Sequence, residues 1–138
     1  MQSQGTNLPI GMKWIRNVLT TNAVLCGGCG LLVLFFSGHV AAWIGWDEAA
    51  LTRVTLILLG FAILLGWIAS RDVISPQVVL FISILDVLWV VGCLLLLATQ
   101  HSLTDIGLGL VILVALSDCI FALFEASYYW RNRRFGRS

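Results

Sequence analysis

The stretch VVLFISILDVLWVVGCLLLLA, residues 78–98, decides the fold of this protein, because its only charged residue is Asp86. A helix needs about 20 apolar residues to cross a bilayer core of about 30 Å. Backbone groups in lipid must be hydrogen-bonded within the segment, and a helix achieves this. The leucines at 94–97 leave no polar face for water. Residues 78–98 therefore predict a transmembrane helix.

Three other stretches share this length and apolar character: 18–38, 51–70 and 106–128. Four helices joined by short loops pack most simply as an up-down antiparallel bundle. We therefore predict an all-α polytopic membrane protein with four transmembrane helices. A cytoplasmic or interfacial segment at 1–17 and a basic cytoplasmic tail at 129–138 flank the bundle.

The composition excludes several other classes of protein. The 138 residues are 59% hydrophobic and 11% charged, which excludes a soluble globular domain and a disordered chain. The net charge of +1 gives no basic face to follow phosphates, so we expect no nucleic-acid partner. The lipid bilayer is the expected surrounding.

The basic residues predict the orientation, because cytoplasmic loops of membrane proteins carry an excess of Lys and Arg. With four spans, only Arg53 lies on the outer side. Both termini are therefore expected in the cytoplasm, in a cell membrane of the bacterial inner-membrane type. The tail either binds anionic lipid or a partner, or simply anchors the topology, which is the interpretation we favour. The predicted lipid and topology anchors are Lys13, Arg16, Arg71, Arg131, Arg133, Arg134 and Arg137.

Two acidic residues are expected at the middle of the membrane. Asp86 lies ten residues after Pro76, and Asp118 lies ten residues before Tyr128, so both are about 15 Å deep. No basic residue lies at that depth on any of the four segments. Two ionised carboxylates there would lack a counter-charge, so we expect at least one to carry a proton at neutral pH.

Further polar residues extend this pattern toward the cytoplasm. Glu125 is expected near the cytoplasmic edge, where Arg16 or Arg71 would neutralise it. Asn22 lies about one turn into the first helix, within reach of Glu125. Asp118 and Glu125 would then form two steps of a polar track.

The acids allow two interpretations. As a proton or cation site, Asp86, Asp118 and Glu125 would serve a small proton- or cation-coupled carrier. As structural groups, they would hydrogen-bond across helices, supported by Ser83 and Trp89 on the Asp86 face. We favour the structural interpretation, because the outer half offers no matching polar path. The predicted function is a non-enzymatic structural or accessory membrane subunit, in a homo-oligomer or with a membrane protein partner.

The sequence Cys26-Gly27-Gly28-Cys29 has the spacing of a redox pair. Such a pair needs an accessible, activated thiolate, whereas this one lies within a membrane segment. A thiol oxidoreductase is therefore a third, weaker hypothesis. Gly27 and Gly30 instead suggest a face that another helix approaches closely.

No cofactor or metal site is expected. His39 and His101 both fall at the outer surface, but their spacing does not indicate a metal site. The sequence contains no phosphate-binding loop, dinucleotide motif or metalloprotease motif, so we expect no enzymatic activity.

The stretch Leu-Asp-Val-Leu-Trp-Val-Val-Gly at 85–92, together with Asn22 and Arg71, resembles a group of small bacterial four-helix integral membrane proteins. That resemblance covers most of the chain and implies the four-helix fold, but no catalytic residues. The small multidrug resistance transporters differ, because their essential glutamate lies in the first helix. Vitamin K epoxide reductase relatives differ because they need outward-facing cysteines that this chain lacks.

Overall fold

The computed structural model describes residues 8–134, and within that range its regular structure is entirely helical. Residues 1–7 and 135–138, including the predicted anchor Arg137, lie outside the described residues. The four long helices are each long and apolar enough to cross a membrane, which confirms the all-α class and the four apolar segments. The helices are α1 (Met12–Phe35), α2 (Ser37–Ile44), α3 (Glu48–Ala69), α4 (Pro76–Thr99) and α5 (Asp105–Asn132).

Short polar side chains begin the last three helices. The Asp47 side chain accepts a hydrogen bond from the Ala50 backbone N–H at 2.9 Å, at the start of α3. The side chain of Thr104 accepts from the Gly107 N–H at 3.0 Å, at the start of α5. These caps satisfy backbone donors that the first helical turn leaves free. Proline opens α4, where its missing N–H has no cost.

The short helix α2 was not predicted from the sequence. The first apolar segment was expected to run to residue 38, but the backbone leaves the helical conformation at Phe36, with φ −119° and ψ 32°. A new helix then begins at Ser37 and ends at Gly45, whose φ of 80° is left-handed. Glycine adopts that conformation without steric cost. An eight-residue helix depends on tertiary contacts rather than on local propensity.

The long helices pack mainly in two pairs, α1 with α3 and α4 with α5. A Cβ placed on Gly27 would lie 3.6 Å from the Ala62 Cβ, and one placed on Gly30 would lie 2.7 Å from Leu59 Cδ2. The contacts therefore run in opposite directions along α1 and α3. Glycine at position 30 permits this close approach, because a Cβ there would require the Leu59 side chain to shift.

The hydrophobic core lies at one end of the molecule, which we call the termini end because α1 starts and α5 finishes there. The opposite end, which carries α2, is called the α2 end. The core side chains come from all four long helices and from the α3–α4 connection. They are Ile15, Val18, Leu19, Leu65, Ile68, Ala69, Ile74, Val79, Ile82 and Tyr128.

Hydrogen bonds between distant parts of the chain close the termini end. The Tyr128 hydroxyl donates to the Ile74 carbonyl at 2.8 Å. Asn132 accepts from the Ile10 N–H at 2.7 Å and donates to the Ile10 carbonyl at 3.0 Å. Both side chains are buried. Tyr128 joins α5 to the α3–α4 connection, and Asn132 joins the two ends of the described chain.

Candidate functional site

The polar residues inside the bundle begin with a hydrogen bond between α1 and α4. The Asn22 side-chain amide donates to Asp86 Oδ2 at 3.2 Å, and both residues are buried. Cys26, one turn further along α1, donates from its thiol to Asn22 Oδ1 at 3.2 Å. Asn22 therefore presents a donor to the acid and is itself held in place by the thiol.

Glu125 on α5 lies beside Asp86 and Asn22 and is fully buried, with 0% of its surface exposed. Within residues 8–134, neither of its carboxyl oxygens has a hydrogen-bond partner. This is unusual, because the large majority of buried polar atoms in proteins are paired. Glu125 is therefore a buried polar group that lacks, within the described residues, the hydrogen bonds that normally replace those to water.

The arginine expected to neutralise Glu125 is engaged elsewhere. The Arg16 guanidinium donates from Nη2 to the carbonyl of Arg71 at 2.8 Å and to that of Asp72 at 3.3 Å. The Arg71 side chain lies over the Trp67 ring, 4.7 Å from its centroid. Both predicted anchors therefore hold the connection between α3 and α4.

Asp118 on α5 is buried and borders the same cavity as Asp86. The structure thus places both predicted midplane acids at the lining of one cavity. We define the acid cluster as Asn22, Asp86, Asp118 and Glu125. It draws on three of the four long helices, and only the Asp86 carboxyl receives a hydrogen bond from Asn22.

The two predicted supporting residues of α4 behave differently from each other. Ser83 donates to the Ala122 carbonyl at 2.9 Å, so its hydrogen bond joins α4 to α5. Trp89 borders the cavity, and its buried indole N–H has no acceptor within the described part of the chain.

The predicted small-residue face of α1 is used within the chain. Gly27 and Gly30 lie against Ala62 and Leu59 of α3. The other helix that approaches α1 is therefore a helix of this same chain, so this face is not free to bind a second copy.

A cavity of about 830 Å³ lies between α3 and α4 and reaches the acid cluster. Trp46 and Thr99 border it at the α2 end, while Asp86 and Asp118 border it at mid-depth. Sequence analysis missed this cavity and placed the polar track toward the other end. The available signal was the pair Gly60 and Gly92, which leave open space on the two facing helices.

The four cysteines are free thiols, and Cys26 is the one that bonds to Asn22. We expect mild oxidation to leave Cys26 and Cys29 unpaired, because the Cys26 thiol is half-buried and donates to Asn22. Counting maleimide-reactive thiols after oxidation and denaturation checks this. A loss of two thiols in the wild type that is absent in Cys29→Ser would instead support a redox pair.

Within residues 8–134, no group of three or more His, Cys, Asp or Glu side chains is arranged to hold a metal ion.

Comparison with protein-family models, with curated proteins and with solved structures found no match to this chain.

Proposed function

We propose that this chain is a small proton-coupled membrane carrier of the bacterial inner-membrane type. Its four long helices would cross the bilayer in up-down order, with both termini in the cytoplasm. The observation that carries the proposal is the fully buried Glu125, which lies beside Asp86 and whose carboxyl has no hydrogen-bond partner among residues 8–134.

Two adjacent carboxyl groups in an apolar interior favour binding of a proton. Removing an ion from water costs several kcal/mol in real proteins, and two like charges add repulsion. One proton removes a charge, which relieves both the repulsion between the carboxyls and part of the cost of burying them. No Lys or Arg stands between Arg16 and Arg53, or between Arg71 and Arg131, to supply the counter-charge instead.

The packing supports a carrier that is open toward one side. The cavity reaches the acids from the α2 end, whereas the core of the termini end separates Glu125 from the other side. A carrier needs a second arrangement in which the closed end opens, and the two helix pairs are the units that would move. In the proposed orientation, this arrangement leaves the acids accessible from the outer half of the membrane.

The second candidate is the structural or accessory subunit that the sequence favours. The bonds from Asn22 to Asp86 and from Ser83 to Ala122 do join helices, as that role requires. The packing of Gly27 and Gly30 inside the chain removes one reason to expect self-association. An unpaired Glu125 contributes nothing to such a role, which is why we rank the carrier first.

We expect infrared spectra of the protein in lipid to show a protonated carboxyl band that persists at neutral pH. Glu125→Gln and Asp86→Asn should each change that band, because the titrations of the two neighbouring carboxyls are coupled. Asp105→Asn is the matched control, since this acid is exposed at the start of α5.

The same variants should abolish proton uptake by vesicles under an imposed pH gradient, while Asp105→Asn should leave it unchanged. A spectrum without a protonated carboxyl at neutral pH would refute the proton site. A band that neither Glu125→Gln nor Asp86→Asn alters would refute it equally.

A further inference from the structure

The cavity between α3 and α4 has the size and lining of a small-molecule site. Its volume of about 830 Å³ lies within the roughly 300–1,000 Å³ typical of ligand pockets. Its walls are mostly apolar, and Asp86 and Asp118 are the only ionisable carboxyls on them. A largely apolar pocket with a few polar groups is the usual form of a site for an organic ligand.

The mouth of this cavity faces the surroundings of the bundle rather than its centre. Ile57, Leu88 and Leu95 border the cavity, and each is more than half exposed in the folded chain. In a membrane these side chains meet lipid, so the cavity opens sideways into the apolar part of the bilayer. A ligand that reaches it from there must itself dissolve in lipid.

Charge selects the ligand further. No basic residue borders the cavity, so an anion would find two acids and no counter-charge. A neutral apolar molecule would gain no electrostatic interaction with the two carboxyl groups. An organic cation would offset a carboxylate charge in a region of low dielectric, where the attraction is strong. Trp46 and Trp89 add aromatic surface, which attracts cations.

We propose that the cavity between α3 and α4 binds an organic cation with an apolar body, which enters sideways from the lipid and pairs with Asp118 and Asp86. This rests on the proposed carrier and names its class of substrate. Both acids border the cavity, but Asp86 already accepts a hydrogen bond from Asn22, so Asp118 is the principal counter-charge. Protons and the ligand then compete for the same carboxyls.

The probe for this proposal is tetraphenylphosphonium, tested against tetraphenylborate, an anion of the same shape. Binding to the full chain in nanodiscs is measured by equilibrium dialysis, with protein-free nanodiscs subtracted. We expect saturable binding of the cation and none of the anion. Asp118→Asn should weaken cation binding by about tenfold or more, and Asp105→Asn should not change it. Acidification should weaken it as well, because protons occupy the acids.

A second variant tests the cavity without touching the acids. A Cβ at Gly92 would meet nothing within 4 Å, and Gly92 borders the cavity, so Gly92→Leu should fill it and abolish binding. Gly109→Leu is the matched control, because that glycine also faces open space but lies outside the cavity. If Gly92→Leu does not fold, Gly60→Leu fills the cavity from α3.

Equal binding of the cation and the anion would overturn the proposal, as would cation binding that survives Asp118→Asn. Binding that survives both cavity-filling variants would show that the probe lies elsewhere. A protonated Glu125 and Asp86 pair without cation binding would refute this ligand and leave the proton site intact. Cation binding that weakens on acidification, with no protonated carboxyl band at neutral pH, would refute the proton site and leave the ligand proposal intact.

Discussion

Replacing Glu125 with methionine is expected to make the protein more stable. The carboxyl of Glu125 is fully buried, and neither oxygen has a partner within residues 8–134. An unpaired buried polar group costs about 1–3 kcal/mol, and methionine has a similar length without that cost. We therefore expect the free energy of unfolding to rise by about 1–3 kcal/mol. Equilibrium unfolding in mixed micelles, followed by circular dichroism, measures this.

The neighbouring Asn22 should respond in the opposite direction. Its amide donates to Asp86, so Asn22→Leu leaves that carboxyl without its donor and should cost about 1–3 kcal/mol. Glu125→Gln keeps a polar group at the site and should bring little gain. If Glu125→Met destabilises as much as Asn22→Leu does, then Glu125 stabilises the bundle. The proton-site proposal would then lose the observation that carries it.

A gain in stability together with a loss of proton uptake would indicate why the acid is present. Residues kept for function often reduce stability at the site where they act. A structural subunit would show the reverse, because its buried polar residues hold helices together. The paired measurement on Glu125→Met therefore separates the two candidate functions.

Replacing Gly107 with alanine is expected to damage the α2 end severely. A Cβ at Gly107 would overlap the backbone of Ile44, and backbone cannot move aside as a flexible side chain can. The Thr104 N–H donates to the Ile44 carbonyl at 2.9 Å, so the start of α5 and the end of α2 are joined where the overlap occurs. Overpacking of this kind costs about 1–3 kcal/mol. Equilibrium unfolding again measures the loss.

Gly109→Ala is the matched control for this prediction. That glycine lies two residues further along α5, and a Cβ there would meet nothing within 4 Å. Alanine is the better helix former by up to about 1 kcal/mol, so Gly109→Ala should be neutral or stabilising. Losses of the same size in both variants would show that Gly107 is not a point of close approach.

The four apolar segments were predicted correctly from the sequence, because apolar length follows from counting residues along a helix. The depth of the acids in the membrane stays a prediction. Of the expected neighbours of Glu125, Asn22 does lie beside it, but the arginines do not pair with it. Distance along α5 suggested the cytoplasmic edge and an arginine partner, whereas Arg16 bonds to the backbone of Arg71 and Glu125 lies beside Asp86. A side chain's partner depends on how neighbouring helices are rotated, and a uniformly apolar helix such as α4 gives no periodic signal of that rotation.

The sequence by itself determined that four stretches of this chain are suited to lipid, because hydrophobic length is a property of each segment alone. Only the tertiary structure decided that Gly30 meets Leu59 within one chain, that Glu125 is left without a partner, and that α3 and α4 stand apart around a cavity. Those outcomes depend on which helices pair and how closely. Between apolar helices in lipid, pairing is governed by the fit of side chains rather than by hydrophobicity.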